Sequence, residues 1–416
     1  MTHKIVYLSR RPEVLFEAEC TVLETYCFDD DLTAAYVEFD GDTRTLDAPG
    51  VLGVEDLTTV EPLYEPGDVG EGVATIEDVR RLHDVPRRGA TGEGVTVVAM
   101  DSGVDSSHPV FSDVRVEEVD VTGDGKGDDV GHGTAVMGQI TRLAPGADLI
   151  ALRIFGGEGS TKTNVILRAY EWLHNNTDRY EVVNMSWGAQ EVTKQLDRVH
   201  NRLVEKGVRD VTAAGNTGEK AGSPGTAERA FSVGACTAEG KMAEFSSYNP
   251  DRDNPDVAAI GKDNRLAGAE GTSMGTDLDG PWVKASGTSF AAPEVAGMVA
   301  KLLDARGGLP PEQVMRAFEA GARNIPDQPK DGAGLADYRD TLWEAGGGSK
   351  PEPGPDEPGT PSERGESVVF SVGGRQVAVL AADCLDSGFY ETTCEDDDGE
   401  TVVRFASSNG GSGEGD

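Results

Sequence analysis

Three short runs place an acid, a base and a hydroxyl where acyl-transfer chemistry can use them. Asp101-Ser102-Gly103-Val104-Asp105 follows the apolar run 95–100, so Asp101 falls at the carboxyl end of an expected strand, where ligands and chemistry collect in open α/β sheets. Gly131-His132-Gly133-Thr134 opens a segment that turns apolar and helical over residues 135–140. Gly287-Thr288-Ser289-Phe290-Ala291-Ala292-Pro293 opens a helix expected to run to about Arg306. A Ser at such a start sits among free backbone N–H groups at the positive end of the helix dipole. A hydroxyl nucleophile needs a base to take its proton, and the base needs an acid to hold its tautomer. Asp101, His132 and Ser289 supply those parts. Each run alone is more often a turn or a helix cap; together, on these elements, they point to nucleophilic catalysis. Gly271-Thr272-Ser273-Met274 reads like a second nucleophile motif, but it lacks the following Ala-x-Pro and a helix, so Ser273 ranks below Ser289.

The elements that must position these groups alternate in type. Apolar runs at 95–100, 149–155, 182–187, 211–214 and 231–235 are interleaved with helical patterns around 163–176, 191–206 and 290–306. Fully apolar strands separated by helices mean an α/β fold, a mostly parallel sheet with helices on both faces. Residues 1–65 carry β-like runs and acidic turns and are expected to form a small α+β module. Residues 66–72 read as an exposed connector, 73–345 as the catalytic domain, and 346–364, with five prolines and five glycines, as a linker. Residues 365–407 form a small β-rich module, with Gly373-Gly374 as a tight-hairpin signal. Residues 408–416 read as a flexible tail.

The charge is strongly acidic: 37 Lys+Arg against 74 Asp+Glu give −37. Such a field repels nucleic acid and anionic membrane, and both are excluded as partners. It suits a solvated surface in high salt, and a halophilic source is expected. No stretch approaches 18 consecutive apolar residues, so no membrane-spanning helix is expected. Ser9-Arg10-Arg11 resembles the start of a twin-arginine signal, but Glu13, Glu17, Glu19 and Glu24 fall where an apolar stretch should follow. A cytoplasmic protein is therefore expected. The five cysteines are odd in number and lack a CxxC pair, which argues against a disulfide framework, although Cys384 and Cys394 could close a small loop.

The segment from about Val73 to Ile325 resembles the catalytic domain of the subtilisin-like serine proteases. The three runs above resemble that family's active-site signatures, and the likeness extends to residues 143–147, Val183-Asn184-Met185-Ser186-Trp187-Gly188, Ala213-Ala214-Gly215-Asn216 and Phe245-Ser246-Ser247. The resemblance implies a subtilisin-like fold and a serine endopeptidase. Ser289 would be the nucleophile, His132 the general base and then acid, Asp101 the group orienting His132, and Asn216 the oxyanion-hole amide beside the Ser289 N–H. It also implies that Ser186, Trp187 and Gly188 lie on the strand that pairs with substrate, and that Ala213, Ala214 and Gly215 form the opposite wall of the specificity pocket. Trp187 reads equally well as core packing. Departures include Ala135 and Glu294, each where the family commonly has His, and Ala258-Ala259-Ile260-Gly261 in place of Ala-Pro-Gly.

The implied partner is a protein or peptide substrate; the resemblance also makes residues 1–65 a prodomain or a regulatory domain, and the N-terminal segment is expected to bind its own catalytic domain as in a zymogen, with a cut near residues 66–90. No cofactor is required for the chemistry. Calcium is a possible structural ion with unknown ligands; the acidic loop Asp120–Asp129 lacks the twelfth-position Glu of an EF-hand, and no metal ligand is assigned. Two other classes share the sequence features. One is an inactive scaffold on the same fold, which would be marked by a lost catalytic group. The other is a peptide ligase passing the same acyl-enzyme to an amine.

Overall fold

The computed structural model describes residues 2–9, 20–40, 43–46, 49–66, 72–189, 191–220, 222–249, 254–325 and 330–346, together with the backbone of four strands between 367 and 407. The chain divides into two units, Met1–Lys350 and Pro351–Asp416.

The first unit begins with β1 (Thr2–Leu8), β2 (Cys20–Cys27), β3 (Thr33–Phe39) and β4 (Val51–Asp56), an antiparallel sheet in the order β2-β3-β1-β4. The β-branched and aromatic residues of β1 alternate between two cores: Ile5 and Tyr7 face one cluster, Val6 and Leu8 another. Residues 10–19, with Arg10-Arg11 of the signal-like motif, lie outside the described residues. Two short strands follow, β5 (Thr59–Pro62) and β6 (Glu65–Pro66).

Next comes helix α1 (Ile76–Leu82), with Thr75 and Asp78 forming a capping box. Then β7 (Thr96–Asp101), β8 (Val116–Asp120), α2 (His132–Leu143), β9 (Asp148–Arg153), β10 (Thr161–Lys162), α3 (Thr163–Asn175), β11 (Val182–Met185), β12 (Trp187–Ala189), α4 (Lys194–Glu205), β13 (Arg209–Ala213), β14 (Ser232–Cys236) and β15 (Val257–Ile260) build the centre. Seven of these strands form one parallel sheet in the order β15-β14-β13-β11-β7-β9-β8. Its strands are apolar because both faces are covered: one core includes residues of α2 and the later helix α5, the other residues of α3 and α4. Strands β16 (Asn264–Ala267), β17 (Thr276–Asp277) and β18 (Trp282–Ser286) form a smaller sheet, followed by α5 (Thr288–Arg306), α6 (Pro311–Gly321) and α7 (Tyr338–Glu344). The α/β architecture expected from the alternating pattern is the one observed. No helix among the described residues is long and apolar enough to cross a membrane.

The N-terminal sheet shares a core with the central domain. Ile5, Tyr7, Tyr26 and Phe28 pack in one cluster with Ile166 and Tyr170 of α3 and Leu196 and Leu203 of α4. Polar ties fix the register of this contact: Arg168 Nε and Nη2 donate to the two Glu24 carboxylate oxygens at 2.6 and 2.7 Å, and Lys206 Nζ donates to Phe28 O at 2.6 Å. Beyond it, β5 enters a three-stranded sheet in the order β10-β5-β12, and β6 pairs with β18. Pro66 is therefore strand-paired, next to Glu65, where an exposed connector was expected to begin; residues 67–71 lie outside the described residues.

In the second unit, β19 (Ser367–Val372) pairs with β20 (Arg375–Ala381), and β21 (Tyr390–Asp397) with β22 (Glu400–Ser407), both antiparallel. Val372 and Arg375 are opposite one another; Gly373 and Gly374, the hairpin signal, lie outside the described residues. Cys384 lies outside the described residues, and with it the loop it was expected to close with Cys394.

Candidate active site

Asp101 ends β7 and is buried. Its Oδ1 accepts from His132 Nδ1 at 2.8 Å and from the Ser102 N–H at 2.7 Å. A carboxylate can only accept, so Nδ1 carries the proton and Nε2 is left with its lone pair. Nε2 is buried and has no hydrogen-bond partner. His132 is the first residue of α2, and the turn before it is held by Asp128, whose oxygens accept from Ser102 Oγ, Gly131 N, Thr134 N and Thr134 Oγ1 at 2.7–2.9 Å. Gly131 has φ +93°, a left-handed conformation that favours glycine. Asp128 is a positioning group that the sequence motifs did not single out.

Ser289 is the second residue of α5 and is buried. Its Oγ donates to Ser186 O at 2.8 Å and accepts from the Leu63 N–H at 3.1 Å. Pro293 has no N–H to give the Ser289 carbonyl four residues earlier. Ser186 Oγ fills that place, donating to Ser289 O at 2.8 Å, while Asn184 Nδ2 donates to Ser186 Oγ at 2.9 Å. The Ala-x-Pro sequence after the nucleophile thus frees a carbonyl that ties α5 to the segment between β11 and β12. Ser273, by contrast, is exposed and outside any helix.

Asn216 follows β13 on a turn where Gly215 has φ +111°. Its Oδ1 accepts from Thr288 N and Thr288 Oγ1, both at 2.9 Å. This fixes the amide so that Nδ2 is the free group, buried and without a partner. A Cβ on Gly287 would lie 2.3 Å from Leu63 O and 3.1 Å from Asn216 Nδ2. The carbonyl of Leu63 and the free amide thus border the same point above Gly287, and only glycine allows the approach.

The segment 59–66 runs past Ser289 in extended form, paired on both sides. Trp187 lies opposite Pro62, Gly188 opposite Glu61 and Ala189 opposite Val60. On the other edge Thr161 and Lys162 face Val60 and Thr59, and past Ser289 the chain continues with Glu65 opposite Ser286 and Pro66 opposite Ala285. The Leu63 side chain lies against Gly188, where an added Cβ would sit 3.3 Å from Leu63 Cδ1. Val60 is buried in the cluster that contains Trp187, Tyr170 and Leu196. Trp187 is itself fully buried, edge-on to Tyr170 at 6.4 Å between ring centres. Its backbone pairs with the 59–66 segment and its indole packs inside, next to Val60's cluster. Ala213 and Ala214 are buried at the end of β13 and lead into the Asn216 turn. Tyr64 covers His132, with ring centres 5.1 Å apart. Burial raises the Tyr64 pKa, and the nearby Asp128 and Asp101 charges add to it. Leu63 and Tyr64 carry no motif; only the pairing of β5 reveals them.

The acidic loop 120–129 closes on itself. Burial alone would raise the Asp120 carboxyl, but hydrogen bonds from Thr122, Gly125 and Gly123 outweigh it and hold the pKa below the usual carboxylate range. The buried Arg153 reaches into the loop, donating to Gly125 O, Gly127 O and Asp129 Oδ2 at 3.2, 3.2 and 2.6 Å. Among the described residues no group of three or more His, Cys, Asp or Glu side chains is arranged to hold a metal ion.

Comparison with known proteins agrees with this geometry. The chain is 30% identical over 285 residues to subtilisin-like protease 1 of Arthroderma gypseum, covering 65% of this chain and 55% of that protein. It is 31% identical over 265 residues to subtilisin E of Bacillus subtilis, covering 58% of this chain and 64% of that one. It spans about half the length of the Coccidioides posadasii and Trichophyton equinum relatives, at 52% and 53%. In fold it matches the crystal structure of fervidolysin from Fervidobacterium pennivorans, described as a keratinolytic enzyme related to subtilisin, with a TM-score of 0.67, 20% identity, and coverage of 84% of this chain and 61% of that one. The subtilase family model matches residues 92–337, more than half of the chain. The chain belongs to the subtilase family.

Proposed function

We propose that this chain is a serine endopeptidase made as a self-blocked precursor, and that its own Leu63–Tyr64 bond is its first substrate. The observation that carries the reading is the in-register pairing of β5 with β12, which brings the Leu63 N–H to 3.1 Å from Ser289 Oγ. In the reaction Ser289 Oγ turns from Ser186 O toward His132 Nε2, gives up its proton there, and attacks the Leu63 carbonyl carbon. Asp101 holds the imidazole and stabilises its charged form. Negative charge developing on Leu63 O is met by Asn216 Nδ2 and the Ser289 N–H; a preorganised donor of this kind is worth about 3–4 kcal/mol. His132 then protonates the Tyr64 nitrogen as the C–N bond breaks, and water releases the acyl group by the same steps in reverse order. No cofactor enters these steps.

The same contacts define the preferred substrate: a protein or peptide with leucine before the cut, against Gly188, and a β-branched aliphatic residue four positions before it, in the place of Val60. The intact triad and amide favour this over an inactive scaffold. The cut falls at Leu63–Tyr64 rather than within residues 66–90, because 65–66 are paired beyond the nucleophile. Intact mass and N-terminal sequencing of wild type and Ser289→Ala, each also treated with a fluorophosphonate probe, test the proposal. Wild type beginning at Tyr64 and taking the probe, with the variant uncut and unlabelled, supports it. A folded chain that takes no probe even with residues 1–63 removed overturns the enzyme reading, and a labelled but uncut wild type overturns the precursor reading.

A further inference from the structure

The two helices that carry His132 and Ser289 are joined by a buried polar chain that the chemistry above does not use. Glu294, on α5 and five residues after Ser289, is fully buried. Its Oε1 accepts from Gln139 Nε2 at 3.1 Å and its Oε2 accepts from the Ile260 N–H of β15 at 3.1 Å. Gln139 lies on α2, seven residues and so two turns after His132, on the same helix face. Arg142 Nη1 donates to Gln139 Oε1 at 2.9 Å and to Arg265 O at 2.6 Å. That bond fixes which end of the Gln139 amide faces Glu294. On the far side His83 Nε2 stands 3.8 Å from Glu294 Oε2, with His83 Nδ1 on Ala336 O at 2.7 Å.

We propose that Gln139 and Glu294 are positioning residues that lock α2 against α5 and so set the approach of His132 Nε2 to Ser289 Oγ. The inference rests on the serine endopeptidase reading. Apolar packing between the helices, such as Gly297 against Leu143, is non-directional and tolerates sliding. A buried hydrogen bond is directional and costly to leave unmade. A displacement of about 1 Å between reacting groups costs roughly 100-fold in rate, so a tie that holds the two helices in register bears directly on turnover. Burial raises the Glu294 carboxyl well above its ordinary pKa, against the pull of the Ile260 N–H, the Arg142 charge and the Gln139 amide; in the structure both of its oxygens accept a hydrogen bond.

The test is kcat and KM on a leucyl peptide p-nitroanilide for the full chain, with thermal unfolding measured alongside. Glu294→Gln keeps the shape but places an NH2 against one of two existing donors. It is expected to lower kcat by about 10- to 100-fold with KM within about twofold. Combining Gln139→Glu with Glu294→Gln exchanges the two groups and restores every bond. The carboxylate, now on α2, would accept from Arg142 and from the amide NH2 on α5, and the oxygen of that amide would accept from Ile260 N. Recovery of most of the lost kcat in the swap supports the proposal. An unchanged kcat in Glu294→Gln overturns it, as does a loss that the swap leaves in place when both variants unfold at the wild-type temperature. If Glu294→Gln does not fold, Gln139→Met is read in its place from the other helix, with the same expected loss and the same overturning result. A wild type that neither hydrolyses the substrate nor takes the fluorophosphonate overturns the endopeptidase reading itself, which separates the two failures.

Discussion

The backbone N–H of Leu63 lies 3.1 Å from Ser289 Oγ, and the hydroxyl gives its own proton to Ser186 O at 2.8 Å. Ser289 Oγ is therefore bonded to these two main-chain groups and not to His132 Nε2, which is buried, unpartnered and covered by the Tyr64 ring. The extended segment 59–66 pairs with the strands on both sides of it, as β-strand addition does elsewhere.

Replacing Leu63 tests that relationship. Leu63→Asp would place a carboxylate against Gly188, where the leucine side chain now packs, and desolvating that charge is costly. Self-cleavage is expected to slow by on the order of 100-fold, followed as the appearance of the shortened chain on intact mass. Cleavage of Leu63→Asp at the wild-type rate would remove Leu63 as the residue before the cut.

Asn216→Ala removes the free Nδ2 but leaves the Ser289 N–H. A fall in kcat of about 100- to 1,000-fold is expected, with KM little changed, because the amide acts on charge that exists only in the transition state. Loss of the Thr288 bonds to Oδ1 would loosen the turn as well. Asn216→Asp keeps the acceptor and replaces the donor, so it should be no more active than the alanine variant.

Asp101→Asn keeps the shape of the Asp101–His132 contact while offering the imidazole a donor where it needs an acceptor. The favoured tautomer then puts the proton on Nε2, where the base must be free. A loss of about 10⁴-fold in kcat is expected, read from the rate of fluorophosphonate labelling with Ser289→Ala as the blank. A loss of less than tenfold would show that Asp101 does not set the tautomer.

Stability should depend on pH through buried histidines. Burial pushes the pKa of His83 down to about 4 and, with help from the Lys206 charge, that of His174 down to about 3. The unfolded chain takes up these protons near pH 6.5. The stability from their burial is therefore complete above about pH 6.5 and is lost as pH falls toward 4 and then 3, at up to about 1.4 kcal/mol per pH unit for each group. Asp256 acts in the opposite sense. Burial raises its carboxyl to about 8, so its contribution falls as pH rises from about 4 to about 8. Asp256→Asn keeps an acceptor for the Ser232 N–H, which bonds Oδ2 at 2.6 Å. In urea titrations it should be more stable than wild type at pH 8, with the gain gone by pH 4.

Much of this protein was legible in its residues alone. The alternation of apolar runs with helical patterns fixes a covered parallel sheet, because side-chain periodicity is a local property. Asp101, His132 and Ser289 announce themselves because each stands at a strand end or helix start whose backbone is set by its immediate neighbours, glycines above all. Asn216 needed the family likeness, since a lone Asn after Gly reads as a turn. What the residues could not show is decided across long separations. Leu63 meets Ser289 over 226 positions and Glu294 meets Gln139 over 155. Nothing local marks 59–66 as a segment that pairs beside Ser289 rather than within the module of residues 1–65. Its β-like residues leave backbone groups unpaired, and only the edges of β10, β12 and β18, brought together by the folded domain, satisfy them. Trp187 and Glu294 likewise sit in sequence motifs that suggest the cleft. Packing decides instead that the indole turns inward, and that the carboxyl finds a Gln and a main-chain N–H between two helices.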